Sequence, residues 1–137
     1  RMDGFQGAVL SVKLKHLNEW TDARRGNAAL YNELLSDVEG VTTPIEADFS
    51  KHVYHIYSIR TSNPTQLLND LKEKEIYCAM HYPVPLHIQK AYESLGYKKG
   101  DFPVAEKCAE QQLSLPMFAE LGDEQIEYAA EQIKLSL

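Results

Sequence analysis

The residues best able to do chemistry fall between positions 81 and 87. There His81-Tyr82-Pro83-Val84-Pro85-Leu86-His87 sets two imidazoles and a phenol on a proline-stiffened segment. A neutral imidazole and a phenol hydroxyl each donate and accept hydrogen bonds, so His81, Tyr82 and His87 suit recognition of polar groups. The same histidines can instead cap helices or bond backbone carbonyls. His52 and His55 would lie on opposite faces of a strand, where side chains alternate, so they do not chelate one metal and read as structural. Cys78 and Cys108 lack CxxC spacing. Cys108 sits in a helical pattern as a small hydrophobe, and Cys78 falls on an expected strand with no neighbouring base, so neither reads as a nucleophile. Lys13, Lys15, Arg24 and Arg25 read as a solvated helix face paired with Glu19 or Asp22. Trp20, Tyr31, Leu34 and Leu35 read as core. No complete catalytic set and no metal site is assigned.

The elements that position these groups follow from periodicity. Residues 5–35 contain no proline and repeat apolar side chains every three or four positions, which predicts one long helix, with room for a bend. About 30 residues at ~1.5 Å each give ~45 Å, longer than the roughly 37 Å diameter of a compact chain of this size. The helix is expected to overhang its domain. It also begins at once, without an evident cap, on Arg1, and the chain reads as a piece of a longer protein. Residues 52–59 mix β-branched and aromatic types as a strand does, with Val53, His55, Tyr57 and Ile59 on one face. Asn63-Pro64-Thr65-Gln66 starts a helix running to about Glu75, with Asn as N-cap and Pro at the first position. A second strand is expected at 76–80, short helices at 86–95 and 103–112, a third strand at 113–115, and a last helix at 123–135. The prediction is one α+β domain over residues 1–137. Its small, mainly antiparallel sheet of about three strands is covered by helices and preceded by the long N-terminal helix.

Bulk properties narrow the partners. The chain has 137 residues, 44% hydrophobic and 25% charged, as expected of one globular domain. Its net charge of −6 opposes the phosphate backbone, which argues against nucleic acid as a partner, and no apolar run approaches the ~20 residues that span a bilayer. Two cysteines without a disulfide framework fit the cytoplasm.

Five blocks, in order, resemble one family. They are residues 1–10 (Arg1-Met2-Asp3-Gly4-Phe5-Gln6-Gly7-Ala8-Val9-Leu10), His52-Val53-Tyr54-His55, the 81–87 segment, Gly100-Asp101-Phe102-Pro103-Val104-Ala105-Glu106, and Leu113-Ser114-Leu115-Pro116-Met117-Phe118. Together they resemble the C-terminal portion of the DegT/DnrJ/EryC1/StrS aminotransferases. The resemblance implies the small domain of a fold-type I pyridoxal-phosphate enzyme, with residues 1–35 linking to a large domain. It implies transfer of an amino group, usually from glutamate, to a keto group of a nucleotide-linked sugar by a homodimer. Arg1 matches the Arg of the family's Asn-x-Arg motif and is the implied cofactor-side residue, placed to pair with cofactor or substrate oxyanions. His81, Tyr82 and His87 are the implied substrate contacts. None of the ten lysines sits in a context like the family's Schiff-base segment, so residues 1–137 alone are expected to be inactive. Two alternatives stand beside this: a non-catalytic ligand-binding or protein-interaction module, and a regulatory aminotransferase-like protein.

Overall fold

A computed structural model describes residues 1–137. The N-terminal helical run is split into α1 (Gly4–Lys13), a 3₁₀ turn (Leu14–His16) and α2 (Leu17–Leu35). The start is capped after all: Asp3 accepts from Gln6 N–H at 2.8 Å while the Gln6 side chain accepts from Asp3 N–H at 3.1 Å. Such a reciprocal box satisfies two otherwise orphan donors. The apolar stripe then serves two purposes. α1 buries nothing, whereas α2 buries Asn27, Ala28, Tyr31 and Leu35. Trp20 is not core; it is half-buried, stacked on His16 at 5.5 Å with the Lys13 ammonium 5.8 Å from its ring.

The first strand is shorter than its sequence pattern. β1 (Tyr57–Arg60) begins only after a segment whose backbone groups are taken by side chains. Arg25 donates to His52 O at 2.7 Å and Arg24 to Val53 O at 2.9 Å, while Glu46 accepts from His52 N–H at 2.6 Å. Tyr54 N–H bonds the His52 ring, and Tyr54 itself has φ of 45°, outside any strand. Arg24 and Arg25 are therefore ties across the domain rather than a free helix face, and Arg25 pairs with Glu46 at 2.7 Å. His52 and His55 precede the strand, so the alternation expected to separate them does not apply.

α3 (Pro64–Glu73) forms as expected, with Asn63 accepting from Gln66 N–H. The expected second strand is reduced to one bridge, Ala79 to Ser114. Two 3₁₀ segments (Leu86–Ile88, Lys90–Leu95) replace the first of the short helices, and α4 (Pro103–Gln111), β2 (Gln112–Leu115) and α5 (Asp123–Leu135) follow.

β1 and β2 pair antiparallel in the register Tyr57↔Leu115, Ser58↔Ser114, Ile59↔Leu113, Arg60↔Gln112. The sheet thus has two strands, not three, and single bridges from Thr42 and Ala79 cover its outer edges. Covered edges leave no long template for foreign strands. Tyr57, Ile59, Leu113 and Leu115 face a core completed by Tyr31 and Leu35 of α2, Leu67 and Leu71 of α3, and Ile126, Ala129, Ala130 and Ile133 of α5. Tyr57 stacks on Tyr31 at 4.9 Å and donates to Asn32 at 2.7 Å, so its polar tip is satisfied inside the core. The expected α+β architecture with its long N-terminal helix stands. No helix is long and apolar enough to cross a membrane.

Candidate functional site

The sheet carries its polar residues on the face turned from the core, and the 81–102 loop packs beside that face. His81 stands two residues after the Ala79 bridge, and its Nδ1 lies 3.0 Å from the Ser114 hydroxyl. The peptide joining His81 to Tyr82 is cis. Tyr82 accepts at its backbone carbonyl from Gln112 Nε2 at 2.9 Å and leaves its ring 70% exposed. His55, Tyr77, His81, Tyr82 and Ser114 line a cavity of about 290 Å³. Two imidazoles and two phenols there offer hydrogen bonds to a polyhydroxylated ligand without presenting a fixed charge.

Tyr82 also lines a second, mainly apolar cavity of about 510 Å³ with Leu86, His87, Phe102, Cys108 and Gln112. His87 contributes structure to its wall. The His87 ring is almost covered, and its Nε2 lies 2.9 Å from Glu106 Oε1. Glu106, on the first turn of α4, accepts in addition from Gly100 N–H with both oxygens, at 2.8 and 2.9 Å, and from Phe102 N–H at 3.3 Å. Burial opposes ionisation of this carboxyl, but the Gly100 amide, His87 and the Phe102 amide outweigh it and hold it below the usual carboxylate range. One carboxylate thereby joins three segments: the proline-rich loop, the 97–102 turn and α4. The turn needs Gly100, whose φ of 100° is strained for any side chain.

Of the residues singled out in the sequence, His81, Tyr82 and His87 thus come together around two adjoining cavities. Arg1 lies exposed ahead of α1 and makes no hydrogen bond or ion pair within the chain. Glu106, Ser114 and Gln112 were not singled out for a role. The available signal for Glu106 was an acidic residue just inside a helix that opens Phe-Pro without a side-chain cap. The ten lysines are all exposed. No three His, Cys, Asp or Glu side chains gather as metal ligands.

The family profile described as the DegT/DnrJ/EryC1/StrS aminotransferase family matches residues 1–134. The chain belongs to that family. Among curated DegT/DnrJ/EryC1/StrS relatives, a pleiotropic regulatory protein of Geobacillus stearothermophilus is 49% identical over 135 residues, covering 97% of this chain and 36% of its own length. A dTDP-3-amino-3,4,6-trideoxy-alpha-D-glucose transaminase of Streptomyces venezuelae is 37% identical over 117 residues, 85% of this chain and 31% of that protein. The crystal structure of S. venezuelae DesV in complex with a ketimine intermediate superposes with a TM-score of 0.94 at 33% identity, over 98% of this chain and 36% of that one. The chain therefore spans about a third of the length of the DegT/DnrJ/EryC1/StrS proteins it matches.

Proposed function

We propose that this chain is the small domain of a pyridoxal-phosphate-dependent aminotransferase acting on a keto group of a nucleotide-linked sugar. Glutamate is the amino donor in this reading, and the enzyme works in the cytoplasm as a homodimer. The observation that carries it is the match to the aminotransferase family along residues 1–134, with transaminases of nucleotide-linked sugars among the relatives. The cofactor, when bound in such enzymes, supplies an electron sink, and the protein supplies orientation and exclusion of water. The residues here serve the second task. His81 and Tyr82 bond hydroxyls of the sugar, and His87 holds the wall beside them through Glu106. Arg1 reaches cofactor or substrate oxyanions, for which its unpaired fork is suited.

The exposed apolar row of α1, with Phe5 at 79%, Val9 at 42% and Val12 at 61%, supports an interface along that helix. None of the ten lysines sits in a context like the family's Schiff-base segment, so residues 1–137 are inactive by themselves in this reading.

The test uses the complete gene product with pyridoxal phosphate, glutamate and a nucleotide-linked keto sugar. Equal amounts of 2-oxoglutarate and amino sugar are expected, and residues 1–137 alone should give neither. Failure of the cofactor-loaded protein to form either product across a panel of such sugars would overturn the reading. A second reading, a regulatory aminotransferase-like protein, is favoured by one observation, the regulatory name of the 49% identical relative. Cofactor binding without turnover would select it.

A further inference from the structure

The outer face of the sheet holds a cation with nothing to pair with. Arg60 is fixed on both sides of its backbone: it exchanges two 2.9 Å hydrogen bonds with Thr42 and pairs across the ladder with Gln112. Its side chain therefore projects from a rigid platform, half-buried. Arg24 bonds Val53 and Thr21, and Arg25 bonds Glu46 and His52, but the Arg60 guanidinium makes no hydrogen bond or ion pair in the chain. A permanently charged group held partly out of water gains from an anionic partner, and the planar guanidinium fork matches the oxygens of a phosphate. Arg60 lines a cavity of about 350 Å³ with Thr42, Thr43, Ser58, Cys108 and Gln112, and no carboxylate stands in its wall. The Ser58 hydroxyl, two residues before Arg60 on the same face of β1, is buried without a partner.

We propose that Arg60, with Thr42, Thr43 and Ser58, forms a subsite for a phosphate-type oxyanion. The guanidinium fork satisfies two oxygens of one anion. The hydroxyls come from β1 and from the neighbouring 42–43 edge, so donors approach from more than one side. A tetrahedral phosphate uses that arrangement more fully than a planar carboxylate does. Gln112 and Cys108 are shared with the apolar cavity lined by Tyr82 and Phe102, so the two spaces adjoin. A phosphate ester with an aromatic organic part can occupy both, and a nucleoside diphosphate has that form. The choice of a nucleotide as the natural ligand rests on the function proposed above; the oxyanion site does not.

The test titrates the complete gene product calorimetrically with inorganic pyrophosphate and, separately, with uridine diphosphate. Arg60→Met is expected to weaken both by about tenfold or more, and Arg60→Lys, which keeps the charge and loses the fork, by less. If Arg60→Met does not fold, Arg60→Lys and Ser58→Ala carry the comparison. Uridine diphosphate binding that depends on Arg60 and is much tighter than pyrophosphate binding assigns the ligand to a nucleotide, and equal Arg60-dependent affinity assigns it to free phosphate; either supports the site. No binding by the wild type, or binding indifferent to all three substitutions, overturns it. The two proposals fail separately. Arg60-dependent binding without amino transfer leaves the site and removes the aminotransferase reading. Amino transfer with an unchanged sugar KM in Arg60→Lys, and pyrophosphate binding indifferent to Arg60, does the reverse.

Discussion

His87 Nε2 lies 2.9 Å from Glu106 Oε1, and neither side chain is more than 9% exposed. Nineteen positions apart in sequence, the two form the bond that makes the proline-rich loop and α4 one body. Loss of the carboxylate leaves the Gly100 and Phe102 amides and the imidazole without their acceptor.

Acid should therefore loosen this corner first. The folded Glu106 carboxyl is held below its ordinary range, so its contribution is complete above the unfolded value of about 4.3 and declines as pH falls through the folded one. Thermal unfolding of the wild type should drop below about pH 4.5, with early loss of amide protection at Gly100. Glu106→Gln should start less stable and respond less to acid. An identical acid slope in both proteins would remove Glu106 from this role.

Alkali acts on the core in the opposite sense. Burial raises the Tyr31 and Tyr57 hydroxyls well above their ordinary range and pushes the Cys78 thiol up to about 12. Each folded group keeps its proton after the unfolded one has lost it, so stability is full below about pH 8.5 and falls as pH rises beyond it. Tyr57→Phe should reduce the alkaline slope while losing about 1 kcal/mol at neutral pH through the vacated bond to Asn32. Urea midpoints from pH 7 to 10.5 measure both effects.

Gly100→Ala separates backbone strain from packing. Nothing lies within 4 Å of the added Cβ, so the whole cost comes from φ of 100°. A loss of roughly 1–3 kcal/mol is expected in urea unfolding. Gly4→Ala, in open space on α1 without a positive φ, should be neutral or slightly stabilising.

The two halves of the N-terminal stripe should respond differently. Leu35→Ala, at 0% exposure, should cost about 2–5 kcal/mol, whereas Leu14→Ala, at 67% exposure, should change stability by less than about 0.5 kcal/mol. If α1 is an interface, Phe5→Ala, at 79% exposure, weakens association of the complete protein, which sedimentation velocity reads directly.

Local sequence was sufficient where each residue's partners lie within a turn or two. α5 carries its four inward residues at helical spacing and begins and ends where that spacing does; α3 is announced by Asn63, Pro64 and Gln66, whose bonds are local. The ordered blocks likewise sufficed for the family, because a motif is a property of the chain itself. Whether a pattern is fulfilled depended on distant groups. Residues 52–54 look like strand, but Arg24, Arg25 and Glu46 take their backbone groups. Residues 5–17 repeat apolar side chains as a core helix does, yet nothing in this chain covers them. His87 has the chemistry of a ligand contact, and only packing decided that its Nε2 faces Glu106. Arg60 is one cation among fourteen in the sequence, and the sheet register alone set it unpaired on the outer face. The sequence by itself determined α3, α4 and α5, the family and the residue types at the site. Tertiary structure decided which of them meet, because hydrogen bonds and desolvation act over a few ångströms in space regardless of separation along the chain.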